Sequence, residues 1–162
     1  MNVRTILIPT DFSSLSDQAI DTGVALARAF SARIVLLHVM NRPEDLDKLS
    51  ASYDDFYAYS RDQMSGLLEE ACDKIKKRGV PANLELLIGV PHEEIVRTAL
   101  REKADLIVMG THGRKGLDRL RMGSQTEQVV RSAHCPVVTL KGSPKQAEEP
   151  LDGRLRPVTN TA

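Results

Sequence analysis

An α/β domain built on a parallel sheet is the fold this chain of 162 residues predicts. Three observations carry it. Five short apolar runs recur along the chain, an amphipathic helical pattern separates each run from the next, and two of the runs are apolar at nearly every position. The last feature suits strands covered on both faces.

The first run is TILIP (5–9), followed by a helical pattern over 15–30 with Ala19, Ile20, Gly23, Val24, Ala27 and Phe30 on one face. The second is RIVLLHV (33–39), one of the two nearly continuous runs. After it, residues 41–56 are polar and acidic and read as an insert. A helix over 57–78 then carries Met64, Leu67, Leu68, Ala71 and Ile75, and Gly79-Val80-Pro81 stops it. LELLI (84–88) alternates more, which places it nearer a sheet edge, and residues 92–102 show Ile95, Val96, Ala99 and Leu100 at helical spacing. The fourth run, DLIVMG (105–110), is again apolar almost throughout. A helix over 124–133 follows, with Val129, Val130 and Ala133 on its face, Ser124 placed as N-cap and Glu127 three residues on, the spacing of a capping box. PVVTL (136–140) closes the pattern. Residues 142–162 are rich in Pro and charge without periodicity, so a domain over 1–141 with a flexible tail over 142–162 is expected.

Composition narrows the function. Lys+Arg and Asp+Glu both number 22, so net charge gives no reason to expect nucleic acid or an anionic membrane as partner. Aromatic content of 4% without Trp argues against a base-stacking platform. Cys72 and Cys135 are far apart and fit neither a disulfide framework nor zinc spacing, so they read as small hydrophobes. The N-terminus shows no basic region or cleavage site of a targeting segment, and no apolar stretch reaches the roughly 20 residues of a membrane span. A soluble, cytoplasmic protein is expected.

In an open α/β sheet, ligands bind outside the carboxyl ends of the strands. Pro9-Thr10-Asp11 follows the first run, His38, Val39 and Met40 end the second, and MGTHGRKGLDRLRMGSQTEQ (109–128) follows the fourth. This last stretch has the ingredients of a phosphate cradle. Gly110 and Gly113 let backbone N–H groups approach an anion, and Gly123-Ser124 begins a helix whose positive end favours one. Ser124 and Thr126 add hydroxyls, and Arg114, Lys115, Arg119 and Arg121 add positive potential. A solvated turn explains the glycines as well, and on their pattern alone that reading leads. Asp11 fits a ligand-binding carboxylate and a helix N-cap equally. His38 on a buried run reads as a packing residue, and His92 after Pro91 as a surface residue at a helix start. The phosphate-loop pattern GxxxxGK with Ser or Thr is absent, as is a GxGxxG after the first strand.

The spacing Gly110-x2-Gly113-x9-Gly123-Ser124 resembles the nucleotide-binding signature of the universal stress protein family. ILIPTDFS, IVLLHV, ADLIVMGTHGRKG and GSQTEQVVRSAHCPVVTLK resemble further segments of that family in its order, from about residue 2 to 141. The resemblance implies a single Rossmann-like domain of the adenine nucleotide alpha hydrolase-like type, with a five-stranded parallel sheet in order 3-2-1-4-5 and helices on both faces. It implies ATP, with Mg²⁺, as ligand. Adenine would lie against Pro9, Thr10 and the backbone of Val39, and Asp11 would accept from the adenosine part. Met109 and Gly110 would flank the ribose, and His112, Gly113, Gly123, Ser124, Gln125 and Thr126 would hold the phosphates. At Gln125 relatives often carry an apolar residue, which matters little if only its backbone N–H is used. The resemblance further implies a homodimer through the strand at 136–140.

No GxSxG, HExxH or persuasive Cys–His spacing is present, so no catalytic residue and no protein metal site is expected. A regulatory, nucleotide-dependent switch is the leading function. An interaction module without nucleotide, motivated by the 41–56 insert and the tail, and a slow ATPase are the alternatives.

Overall fold

The computed structural model describes residues 2–41, 51–111 and 123–141. Their order is β1 (Thr5–Pro9), α1 (Ser14–Phe30), β2 (Arg33–Asn41), α2 (Ala51–Lys77), β3 (Ala82–Gly89), α3 (Pro91–Arg101), β4 (Leu106–Gly110), α4 (Ser124–Ser132) and β5 (Val137–Leu140). All five strands pair in parallel, in the order β3-β2-β1-β4-β5. The α/β class and the strand order implied by the resemblance are therefore present, with β3 at an edge as its alternation suggested.

Two cores cover the two faces of the sheet, and strand alternation sorts residues between them. Ile6, Ile8, Ile34, Leu36, Leu106 and Val108 point to one face, where Val24 and Ala27 of α1 and Leu68, Cys72 and Ile75 of α2 pack. Leu7, Val35, Leu37, Ile107 and Met109 point to the other, against Ile95 and Ala99 of α3 and Val129 of α4. The β1 triplet Ile6-Leu7-Ile8 has no exposure at all, which is why its sequence is a continuous apolar run. A Cβ on Gly23 would collide with Ile8 Cδ1, so α1 packs closely on β1 and a larger residue there would have to displace the buried end of Ile8. Gly79 ends α2 at φ 78°, the left-handed conformation that stops helices.

Three differences from expectation have physical reasons. α2 starts at Ala51, six residues before the helix read from the apolar rhythm, because backbone hydrogen bonds carry a helix on where the three-and-four apolar spacing no longer marks it. Residues 51–56 are thus helix, while the rest of the insert, 42–50, and the tail lie outside the described residues. β2 runs on to Asn41, which pairs with Gly89, because β3 is long enough to match it. Finally, Phe30, Leu67, Leu100 and Val130 are exposed rather than buried. Each sits at the margin of its helical stripe, where three-and-four spacing alone cannot tell the flank from the centre.

Candidate functional site

The carboxyl end of β1 is fixed by a compact net of hydrogen bonds. The Thr10 N–H donates to Leu37 O at 2.8 Å, tying β1 to β2 one residue beyond the pairing. The Thr10 hydroxyl, on a residue only 5% exposed, accepts from the Phe12 N–H at 3.1 Å. Asp11 Oδ1 accepts from the Ser13 N–H at 3.1 Å and from the Ser16 hydroxyl, while the Asp11 N–H donates to Ser16 Oγ at 3.2 Å. The N-cap of α1 is Ser13, whose Oγ accepts from the Ser16 N–H at 3.3 Å. Asp11 is therefore the brace of the turn and not the cap, and its carboxylate is aimed by its neighbours.

Phe12 turns the chain at φ 60°, a left-handed conformation that costs a side-chain-bearing residue about 1–2 kcal/mol. Its ring recovers part of that cost against His38, with centroids 4.7 Å apart and planes tilted by 41°. His38 Nδ1 lies 2.7 Å from Thr10 O. A carbonyl only accepts, so Nδ1 carries the proton. His38 is thus a half-buried strut between the ends of β1 and β2, close to the packing role its sequence suggested.

The connection from β4 to α4 is closed at its base. The Thr111 N–H donates to Leu140 O at 2.9 Å, and Thr111 O accepts from the Gly123 N–H at 2.7 Å. The Thr126 hydroxyl, 4% exposed as a residue, donates to Gly110 O at 2.9 Å. The start of α4 is thereby pinned to the end of β4 from both sides. The N-cap is Gly123, one residue before the Ser124 expected, and Glu127 N–H bonds to Gly123 O as the first helical bond. A capping box cannot form because Gly123 has no side chain. Among the described residues no acceptor stands against the N–H groups of Ser124, Gln125 and Thr126. An anion there meets free donors and the positive end of a helix.

Gln125 turns its side chain away from this end. Its Oε1 accepts from both the N–H and the Nδ1 of His92, each at 3.0 Å. α3 begins at Pro91 after Val90, which has no polar side chain to cap it, so a residue of α4 supplies the cap across the gap. His92 is at the helix start as read from sequence, but it is engaged with α4 and only half exposed.

Between these two ends lies a cleft of about 720 Å³, within the range of sites that hold cofactor-sized molecules. Ten of the twelve residues singled out in sequence line it: Pro9, Thr10, Asp11, Val39, Met109, Gly110, Gly123, Ser124, Gln125 and Thr126. His112 and Gly113 lie outside the described residues, as do the bases between Gly113 and Gly123. The other wall joins Met40, already placed at the end of the second run, to residues that sequence reasoning missed: Asn41 of β2, Ser60 and Met64 of α2, and Pro91 and Ile95 of α3. The signal existed in part, since Met64 belonged to the apolar stripe of its helix, but that stripe read as core. No group of three or more His, Cys, Asp or Glu arranged to hold a metal occurs among the described residues. Nor is any helix among them long and apolar enough to cross a membrane.

The family model of universal stress proteins matches residues 2–141. A curated relative, the universal stress protein MJ0531 of Methanocaldococcus jannaschii, is 37% identical over 151 residues, covering 88% of this chain and 85% of its own. Among solved structures, that of MJ0577 from the same organism superposes with a TM-score of 0.80 at 27% identity, covering 88% of this chain and 99% of that one. A universal stress protein solved in complex with cAMP gives a TM-score of 0.64 at 25% identity, covering 88% of this chain and all of the other. With a family match from residue 2 to residue 141 and a relative 37% identical over most of both chains, this chain belongs to the universal stress protein family.

Proposed function

We propose that the chain is an ATP-binding regulatory protein of the cytoplasm whose nucleotide occupancy sets the state of a homodimer. The observation that carries the reading is the convergence, in one cleft, of an aimed carboxylate at Asp11 and a helix start whose first N–H groups face no acceptor among the described residues. The cAMP complex of a family member supports the adenine part. Adenine lies against Pro9, Thr10 and the backbone of Val39, and Asp11 accepts from the ribose hydroxyls, for which an acceptor-only group is suited. Met109 and Gly110 flank the sugar. The phosphates, with Mg²⁺, take the N–H groups of Gly113, Ser124, Gln125 and Thr126, together with His112 and the Ser124 hydroxyl, while the Gly123 N–H is held by Thr111 O and Gly123 serves by leaving room as the N-cap. Because the Thr126 hydroxyl proton is directed at Gly110 O, that residue serves the ligand through its backbone.

Titration calorimetry with ATP and Mg²⁺ tests the reading. Saturable binding at micromolar nucleotide is expected, and the absence of heat at high micromolar concentration defeats it. No catalytic residue enters the scheme, so less than one product per protein in an hour is expected, and clear multiple turnover would replace the switch with a hydrolase. β5 is an edge strand whose residues are all half-buried, and such an edge pairs readily. Sedimentation should give a dimer at micromolar concentration.

A further inference from the structure

All three methionines among the described residues line the cleft, and the nucleotide reading uses only Met109. Met109 is nearly sealed, at 6% exposure, whereas Met40 and Met64 are half-buried. They reach the cleft from different elements by two separate periodicities. Along β2, Ile34 and Leu36 face the α1–α2 core, and the period of two continues that face through His38 to Met40, above the packed layer. Along α2, Leu68, Cys72 and Ile75 form the buried stripe, and stepping back by fours gives Met64 and then Ser60. The same stripe that holds α2 on the sheet therefore overhangs the site as a thioether wall.

A thioether in that position does two things. Unmodified, it offers a soft, apolar surface to an aromatic base. Its sulfur is also a nucleophile toward peroxides, the reaction that converts methionine to a polar sulfoxide. The thiols are placed differently. Cys72 has no exposure and Cys135 does not line the cleft, and burial pushes both thiols up, away from the reactive thiolate.

We propose that Met40 and Met64 form an oxidation site in the cleft wall, and that their conversion to methionine sulfoxide by hydrogen peroxide weakens nucleotide binding. The inference rests on the nucleotide reading above. In the step, a lone pair on Sδ attacks one peroxide oxygen, the S–O bond forms as the O–O bond breaks, and the remaining oxygen leaves as water after proton transfer. Sulfur is oxidised by two electrons and peroxide is reduced by two. The new sulfoxide oxygen needs water or a donor, and a base stacked on the wall removes the first without supplying the second.

The test uses the full chain, hydrogen peroxide and ATP. Peptide mass spectrometry after mild peroxide should show one added oxygen on Met40 and on Met64, at rates slowed by saturating ATP. The oxidised protein should bind ATP about tenfold more weakly, the size expected for burying one unpaired polar group. Methionine sulfoxide reductase should restore the affinity. In the double variant Met40→Leu/Met64→Leu, a volume-conserving change that keeps the wall apolar, the ATP affinity measured before peroxide, whatever its value, should be the same after it. Unchanged ATP affinity after complete oxidation of both residues overturns the inference, as does their survival under a dose that oxidises free methionine. Both outcomes are read on the unsubstituted protein, so neither depends on a variant folding. If the unoxidised protein binds no ATP, the nucleotide reading itself falls and takes this inference with it.

Discussion

At the β1 end of the cleft, Asp11, Ser13 and Ser16 are bound to one another through side chains, with Phe12 held at φ 60° between them. At the α4 end, the N-cap is a glycine, the Gln125 side chain serves another helix, and three backbone N–H groups face no acceptor among the described residues. The contrast follows from what each end has to hold. A carboxylate that selects hydroxyls must be aimed, and aiming takes neighbouring side chains. A phosphate cradle of backbone donors is aimed by the helix itself, and any side chain that capped it would compete with the ligand.

Asp11→Ala should break the comparison hardest. It removes the acceptor of the Ser16 hydroxyl and of the Ser13 N–H, in a turn where Ser16 is 6% exposed. About 2 kcal/mol of stability should be lost, read by denaturant unfolding. ATP affinity should fall about a hundredfold, the scale of losing hydrogen bonds to a charged group. A loss of stability with no loss of affinity would leave Asp11 as a brace only.

Thr126→Val comes next. Valine keeps the shape and deletes the hydroxyl bond to Gly110 O, so about 1–2 kcal/mol should be lost and Thr126→Ser should recover most of it. ATP affinity should change by no more than about threefold, since the N–H is retained. A fall as large as that of Asp11→Ala would mean that the hydroxyl itself holds phosphate, and the two ends of the cleft would then be built alike.

How far this contrast was legible in sequence depends on the interaction concerned. β1 and β4 were plain because burial on both faces leaves no polar position in the run. Strand order was not readable from periodicity, since pairing joins residues about a hundred apart, such as Ile6 with Leu106, and it came from the family resemblance. Asp11 stood equally as cap or ligand group because both uses need a short acceptor at a helix start. Ser13, two residues on, decides it by capping α1 itself. Ser124 and Glu127 had the spacing of a capping box, but the N-cap lies one residue earlier, at a glycine that the signature already required. Ser60 and Met64 were hidden for a different reason. A side chain overhanging a cleft has the same apolar periodicity as one under the sheet, and only the height of α2 above β2 separates them.

The smallest expected effect sharpens the comparison most, because one residue belongs to both ends of the argument. The Gln125 side chain caps α3 through His92, while its N–H stands among the open donors of α4. Gln125→Leu removes only the first function. It should cost about 0.5–1 kcal/mol, the worth of an exposed N-cap, and leave ATP affinity within about twofold. Gln125→Glu separates the two functions further. A carboxylate still accepts from the His92 N–H and adds a favourable charge at the start of α3, so stability should hold or rise by a few tenths of a kcal/mol. The same charge beside the phosphates should weaken ATP several-fold, and raised salt should reduce that penalty by screening. If Gln125→Leu weakened ATP binding as much as Gln125→Glu does, the ligand would depend on the Gln125 amide. The start of α4 would then rely on a side chain as the turn after β1 does.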